Sequence, residues 1–594
     1  MTSVLTGALL IVHLLARALR SGVGLPHLHP AGWWMLPFLA YAAANVFWVT
    51  PVRWLGWRDW YGWAEMLAVF WIVLNDVRSA APRRLLFATL VTLGITAVFM
   101  ASYQRFVDPK WLMLGRTQAE QFVGRSSGPF GIPNSLGAFL LLLLPVCGAM
   151  MSGRGVSAAT RVLFGWLTVV FAFGFVLTIS RGAWIGLVLA LSVWPLFVSN
   201  GSWRKRALAA LGTLTVLLAL CGALYALSPA VHARLTGLVR DRGEITRPIM
   251  WRGAWRIFRE HPAVGGGAGS YNVLFEKFRP EGFRDEPQWA HNDYLNTLSD
   301  YGLVGLGLFF GGCTIIAWRC VRGRCGVDDG ATDRFASSKV MTALAIGLLA
   351  FALQLFVDFH FKIPALAMVF AVIAALVVQR RWPVRVACQP SSIGRGPLLI
   401  LAAGAVLGMW FFVVPLFRAE ALRYRARQRI DRLAGMSVDA PDYRAQLAES
   451  RAELARAVAI DPANAQAWSD TAYAAALWGH ISRAEVPELG REAEAAASRA
   501  LALTPACAEF WIRRGVARDM QGRWFDASVD MARATTLAPN AGWVWFYYAD
   551  HMNKKRTERG LTEAALALCL RLDPQNQEGL VLRQQLAITK EPPP

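Results

Sequence analysis

Apolar runs of bilayer-crossing length recur along the chain and flank a single long polar segment, Ser228 to Tyr301. Lipid cannot satisfy backbone polar groups. Such a segment must therefore stand on one side of a membrane, or fold back into it lined by protein. It is basic and glycine-rich and ends in Trp289-Ala290-His291-Asn292-Asp293-Tyr294-Leu295, after which apolar sequence resumes. Chemistry is expected there.

At 594 residues, 55% hydrophobic and only 17% charged, the composition is that of a polytopic helical membrane protein. The net charge of +21 falls largely in short loops between apolar spans, as the positive-inside rule requires, so nucleic acid is not the expected partner. Tryptophans flank the spans at Trp33-Trp34, Trp54, Trp57, Trp60, Trp63 and Trp318. Cys147, Cys221 and Cys313 sit in apolar runs. Cys320 and Cys325 share a basic loop without a second pair or a histidine, which reads as structural thiols rather than a metal framework. The first residues are apolar with Arg17 and Arg20 behind them, the reverse of a secretory signal, so a retained first helix is expected.

About twelve spans are expected from length and hydropathy. They lie near 2–19, 32–50, 60–77, 85–103, 135–151, 162–180, 182–199, 207–227, 295–318, 340–358, 362–379 and 397–417. Arg17/Arg20, Arg78/Arg83/Arg84, Arg154/Arg161, Arg204/Lys205/Arg206, Arg319/Arg322/Arg324 and Arg380/Arg381/Arg385 occupy alternate loops, which can face the cytoplasm together. The N-terminus, 104–134, the Ser180-Arg181 junction, 228–294, the Asp358–Lys362 turn and everything beyond Phe417 then face outward. Arg53 and Arg58 fall on the wrong side of this scheme. So do Arg105, Lys110, Arg116 and Arg125 in 104–134, where an anionic substrate would supply a reason for them, and a merely solvated loop the alternative.

Beyond Phe417 the chain turns to Ala/Arg/Glu-rich helical sequence. A motif ending in proline recurs at Pro462, Pro505, Pro539 and Pro574, at intervals of 43, 34 and 35 residues. The last two intervals match the tetratricopeptide period, and the first suggests an insertion around Gly479–Gly490. The expected fold is thus all-α: a transmembrane domain over 1–417, with 228–294 as its large outward loop, and an α-solenoid of TPR-like helix pairs over 418–594. Such arrays bind a protein or peptide on the concave face, or serve as a structural cap.

Several short motifs surround the polar segment. They are Gly128-Pro129-Phe130-Gly131-Ile132-Pro133-Asn134, Ser180-Arg181-Gly182-Ala183-Trp184, Arg247-Pro248-Ile249-Met250-Trp251-Arg252, His261-Pro262-Ala263-Val264-Gly265-Gly266-Gly267, Ala290-His291-Asn292-Asp293-Tyr294-Leu295 and Asp300-Tyr301-Gly302-Leu303-Val304-Gly305. Their order and placement over roughly Arg116 to Val378 resemble the O-antigen ligase and polymerase superfamily of bacterial inner-membrane glycan transferases. That resemblance implies transfer of a glycan from undecaprenyl diphosphate to an acceptor hydroxyl at the periplasmic face. The acceptor would be lipid A core, another glycan or a protein hydroxyl. It also implies an essential loop histidine and two arginines, here His291, Arg181 and Arg247, with Arg252 as a substitute one turn on. Asn292, Arg125 and Arg116 are the further substrate-binding candidates, and His360 a supporting one.

These residue types suit the chemistry. Breaking a sugar C1–O bond to diphosphate builds negative charge on the leaving group, which a forked guanidinium matches. A neutral imidazole can accept the proton of the attacking hydroxyl. No cofactor is expected, and Asp285, Glu286, Asp293 and Asp300 lack a recognisable cation-binding spacing. Simpler readings stand beside these: His291 as a cap-region residue, Arg181 snorkelling to the interface, and Gly265-Gly266-Gly267 as a flexible turn, since no P-loop Lys-Ser/Thr follows it. His261, His27 and His29 read as structural. Membrane lipids, and a protein bound by the repeats, are the further partners expected; a polysaccharide transporter or a non-catalytic assembly scaffold is the alternative of another class.

Overall fold

The computed structural model describes residues 2–19, 29–151, 156–198, 202–229, 231–233, 236, 246–323, 337–384, 396–555 and 559–588. Arg20, His27, Arg154, Arg324, Cys325 and Arg385, and 237–245 of the polar segment, lie outside them. The fold is all-helical. Among the described residues there is no strand beyond one isolated bridge between Trp111 and Thr117.

The first half of the chain holds α1 (Thr2–Leu19), α2 (Leu36–Trp48), α3 (Arg53–Asp76), α4 (Ala80–Phe106), α5 (Pro133–Met151), α6 (Ala158–Leu177), α7 (Arg181–Val198) and α8 (Trp203–Leu227). The polar segment contributes α9 (Thr246–Glu260) and α10 (Tyr271–Phe275). Then come α11 (Asp293–Arg322), α12 (Ser338–Gln354), α13 (Pro364–Arg381) and the long α14 (Gly396–Ala434). Seven helices among the described residues are long and apolar enough to cross a membrane: α4, α5, α6, α8, α11, α13 and α14. Three shorter apolar helices join them, Ser3–Leu19, Arg181–Leu196 and Ser338–Gln354.

The expected twelve spans are therefore not all recovered. The window 32–50 is split by a 3-10 turn, Pro30–Met35, leaving in α2 a 13-residue helix. At 1.5 Å per residue that helix covers about 20 Å, short of a hydrocarbon core of about 30 Å. The window 60–77 lies in α3, which also carries Arg53, Arg58, Asp59, Glu65 and Asp76. At the centre stands α5, buried on every side from Leu136 to Leu143 and packed against α4, α6, α7, α12 and α13. Its continuous apolar run is what a helix enclosed by other helices needs. By contrast α8 buries none of its apolar side chains, which is suited to lipid.

The expected span 295–318 is a broken helix. Within α11, Gly302 adopts φ +65°, ψ −167°, so Asp293–Tyr301 and Leu303–Arg322 are separate half-helices. The segment 262–267 threads through the break. Gly266 N donates to Ser299 O at 2.7 Å and Gly267 N to Asp300 O at 3.0 Å. Leu303 N donates to Pro262 O at 3.0 Å and Val304 N to Ala263 O at 3.2 Å. The backbone groups freed by the break are thus re-paired, as a low-dielectric interior demands. This corrects the reading of Gly265-Gly266-Gly267 as a flexible turn: it is a packed crossing point. Asn45 fixes the crossing from outside, accepting from Ala268 N and donating to Val264 O.

The expected junction at Phe417 falls inside α14, which runs unbroken in helical backbone, with a π segment at Met409–Val413, into the repeats. There α14 pairs with α15 (Tyr443–Ile460), and α16 (Ala465–Trp478) with α17 (Val486–Leu503). Next α18 (Ala508–Asp519) pairs with α19 (Trp524–Leu537), and α20 (Gly542–Lys555) with α21 (Arg559–Leu572), before α22 (Gln577–Ile588). A connection with a 3-10 turn, Arg483–Glu485, sits in the longer first interval. The last three pairs are each stapled at the start. Trp468, Trp511 and Trp545, six residues after a repeat proline, donate an indole N–H to the carbonyl of Pro462, Pro505 and Pro539 respectively.

These proline turns form the edge of the array that meets the polar segment. Asn540 donates to Arg279 O at 2.7 Å, and Arg284 reaches Asp573 at 3.4 Å and Gln575 at 2.9 Å. Arg58, on the wrong side of the sequence scheme, pairs with Glu420 of α14 at 3.1 Å, and Trp54 packs into the repeat cluster of Ala465, Leu501 and Phe510. A partner from the repeats therefore accounts for Arg58, while Arg53 donates to Phe47 O within the bundle.

Candidate active site

The groups singled out in the sequence converge on a residue that was not, Asp358. It lies in the turn between α12 and α13, 1% exposed. The Asn292-Asp293 step pins this turn. Asp293 N donates to Leu355 O (2.9 Å) and Asp358 O (3.1 Å), while Asp293 Oδ2 accepts from Phe361 N at 2.9 Å. Asn292 caps α11, its side chain accepting from Leu295 N at 3.0 Å, a positional role.

Directly before the cap, His291 holds a left-handed backbone, φ +51°, a conformation in which histidine is enriched among non-glycine residues. It is gripped on both sides: Ala290 N donates to Asn296 Oδ1 at 2.9 Å, and the His291 carbonyl accepts from Trp251 Nε1 at 3.4 Å. Trp251 belongs to α9, whose apolar face of Met250, Ala254 and Ile257 packs on Tyr271, Phe275 and Ala290. The same helix carries Arg247 one turn earlier. Thus α9 fixes both the histidine backbone and a guanidinium.

Around the Asp358 carboxylate, Asn134 Nδ2 donates to Oδ1 at 3.3 Å. Arg247 Nη2 stands 3.8 Å from Oδ2, His291 Nδ1 4.0 Å from Oδ1, and His360 Nε2 3.9 Å from Oδ2. Arg125 supports the group through Asn134, donating to its Oδ1 at 2.7 Å and to Thr178 O at 3.1 Å. Gly182 opens α7 beside the turn. A Cβ there would lie 2.7 Å from Val357 Cγ2 and 3.8 Å from Asp358 Oδ2, so glycine lets the Ser180-Arg181-Gly182 corner approach. Arg181 is the first residue of that helix. Phe359 and His291 meet edge to face with ring centroids 4.5 Å apart, and Trp289 stacks on Phe359 at 4.8 Å.

Two sequence candidates lie apart. Arg116 is exposed and bonds within its own loop, to Met113 O and Pro129 O at 3.4 Å each. Arg252 is on the exposed face of α9, bonded to Pro248 O. His261, just past α9, is exposed, and His29 caps a 3-10 turn while its Nε2 meets Trp382 O at 2.8 Å. The acidic residues weighed as cation ligands do not assemble. Asp300 instead pairs with Asn296 (2.8 Å) and Lys362 (3.9 Å), and Lys362 also holds Asp59 of α3 at 2.5 Å. Among the described residues no group of three or more His, Cys, Asp or Glu is placed to hold a metal ion.

Burial holds the His291 imidazole below its ordinary value; Asp358 raises it, and Arg247 lowers it again. Burial pushes His360 down to about 4. Both rings are therefore neutral at pH 7, beside one buried carboxylate and one guanidinium. A neutral imidazole next to a carboxylate can take a proton, and the guanidinium can receive a phosphate oxygen.

No curated protein matches the chain. Among solved structures, the crystal structure of yeast Tom70 matches at 10% identity over 77% of this chain and 88% of that one, with a TM-score of 0.19, which carries no argument about fold. Residues 166–310 match the family model described as O-antigen ligase, and in this stretch, which holds Arg181, Arg247 and His291, the chain is similar to that family.

Proposed function

We propose that the chain transfers a glycan from undecaprenyl diphosphate to an acceptor hydroxyl at the periplasmic face of a bacterial inner membrane. The family match supports glycan transfer of the ligase or polymerase type. The observation that carries the reading is the convergence of Asn134, Arg247, His291 and His360 on Asp358, from four separate stretches of sequence. The loops assigned outward from sequence meet in this cluster, which supports a periplasmic placement of the site and of the repeats touching it.

In this mechanism the acceptor oxygen attacks the sugar C1 while the C1–O bond to diphosphate breaks, its electron pair staying on the diphosphate oxygen. With the Nδ1 proton turned towards Asp358, His291 Nε2 takes the hydroxyl proton, and Asp358 stabilises the imidazolium that forms. Arg247, joined by Arg181 at the neighbouring corner, offsets the charge growing on the leaving diphosphate.

The reading is tested in a deletion strain by glycan chain length and attachment. Intact polymer left on undecaprenyl diphosphate indicates a ligase and short unpolymerised units a polymerase; unchanged surface glycan and protein glycosylation would overturn both. The working form of His291 is neutral and its proton affinity is lowered. The acid limb of kcat/KM is therefore expected with its midpoint below 6.5, the ordinary imidazole value. Activity should persist above that midpoint and fall as pH drops through it. A midpoint above 6.5 would exclude His291 as the base in this environment.

A further inference from the structure

Away from Asp358, a cavity of about 990 Å³ lies between the helix bundle, the polar segment and the repeats. This is at the upper end of the roughly 300–1,000 Å³ typical of small-molecule sites. Its wall is shared by α3, the Phe361–Pro364 turn, α14 and the proline turns of the first two repeats. Among the described residues, four side-chain atoms on that wall are buried without a hydrogen-bond partner: Trp54 Nε1, Glu65 Oε2, Asn272 Oδ1 and Thr504 Oγ1. Buried polar atoms are costly to leave unpaired, and this set mixes donor and acceptors. The charges on the wall are mostly neutralised within the chain, Arg58 by Glu420 and Lys362 by Asp59. What remains suits uncharged groups that donate and accept at once, in other words hydroxyls. Aromatic faces complete the wall, among them Trp57 and Trp289, and these suit the C–H faces of sugar rings.

We propose that this cavity binds an oligosaccharide segment, holding a glycan chain beyond its reacting end. The inference rests on the transfer reading for its purpose. Trp289 lines the cavity and stacks on Phe359, the ring that touches His291, so one row of rings joins the cavity wall to the Asp358 cluster. Thr504 comes from the repeats, and so do Asp461 and Asn464 on the same wall. The site is therefore incomplete without them, which gives the array a task in cis besides any partner it takes.

Gly62 provides the test. It lines the cavity from α3, and a Cβ added there meets nothing within 4 Å among the described residues. Gly62→Phe therefore places a ring in the cavity from a position that accepts a Cβ, and removing a mid-helix glycine favours the helix. Gly62→Ala is the control, and Thr504→Val and Asn272→Leu are second variants that remove single unpartnered atoms. Full-length protein in nanodiscs is titrated with glycan freed from the strain's undecaprenyl diphosphate by mild acid, and separately with undecaprenyl diphosphate bearing no sugar.

The expected result is that the freed glycan binds wild type and Gly62→Ala, weakens by roughly tenfold or more in Gly62→Phe, and weakens in the second variants. Binding of sugar-free undecaprenyl diphosphate should be unchanged. Inhibition by freed glycan that competes with the donor assigns the cavity to the donor's glycan, and competition with the acceptor to the acceptor's. No binding to wild type, equal binding to Gly62→Phe, or a phospholipid displaced by Gly62→Phe without any glycan affinity would overturn the proposal. His291→Ala separates the two readings, since it should abolish transfer and keep glycan binding.

Discussion

Substituting His291 with alanine is expected to lower transfer by about 10²–10⁴-fold, the usual contribution of a general base, with the amount of protein in the membrane unchanged. The side chain is about one-third exposed and its contacts are to Asp358 and Phe359, so its loss removes little packing. The backbone grip on this residue, through Ala290 N and Trp251, survives the change. Asp358→Asn is the companion variant. It keeps the size of the side chain and an oxygen for Asn134, but removes the charge that stabilises the imidazolium. A loss of roughly 10²-fold is expected, with the acid limb moved to still lower pH, because the Asp358 carboxylate raises the proton affinity of His291. A structural carboxylate would change protein level and leave the pH profile in place. Wild-type transfer by His291→Ala would end the catalytic assignment.

Much of this candidate site is legible as motifs in the sequence. His291, Arg247 and Arg181 stood in motifs flanking one polar segment, and Arg125 drew attention as a cation on the outward side. Asp358 did not, because one acid in a short turn between spans has no local pattern. What gives it meaning is tertiary: the Asp293 amide bonding to Leu355 and Asp358 carbonyls across about sixty residues of sequence. A signal existed nonetheless, since an acid bordering apolar spans is costly to retain without a use. The proline-to-tryptophan spacing of six, which staples three repeats, is equally visible in the sequence. The split of 32–50 into a turn and a short helix was hidden because hydropathy averages over both. Likewise nothing in Tyr301-Gly302-Leu303-Val304 announces a break, since a lone glycine in an apolar run is tolerated inside membrane helices.

That break carries the second large expected effect. Gly302→Ala should cost about 2–6 kcal/mol and leave little monodisperse, thermally stable protein after solubilisation. One part is conformational: φ +65°, ψ −167° belongs to a region essentially reserved for glycine, and forcing another residue into it costs about 1–3 kcal/mol. The other part is steric. A Cβ at this position would lie 2.3 Å from Ala263 O and 2.6 Å from Gly265 N, backbone atoms that cannot rotate away, and overpacking of this kind costs about 1–3 kcal/mol more. Relief requires the 262–267 segment to withdraw, which unpairs Gly266 from Ser299 and Gly267 from Asp300 and releases the half-helix that begins at Asp293. Because Asp293 ties His291 to the Asp358 turn, transfer should fall even in protein that still folds. Gly311→Ala is the matched control on the same helix, where an added Cβ meets nothing within 4 Å among the described residues, and it should behave as wild type in both assays. If the two variants prove equally stable and equally active, the half-helix is not held in place by the crossing of 262–267, and the geometry around Asp358 must owe its order to something else.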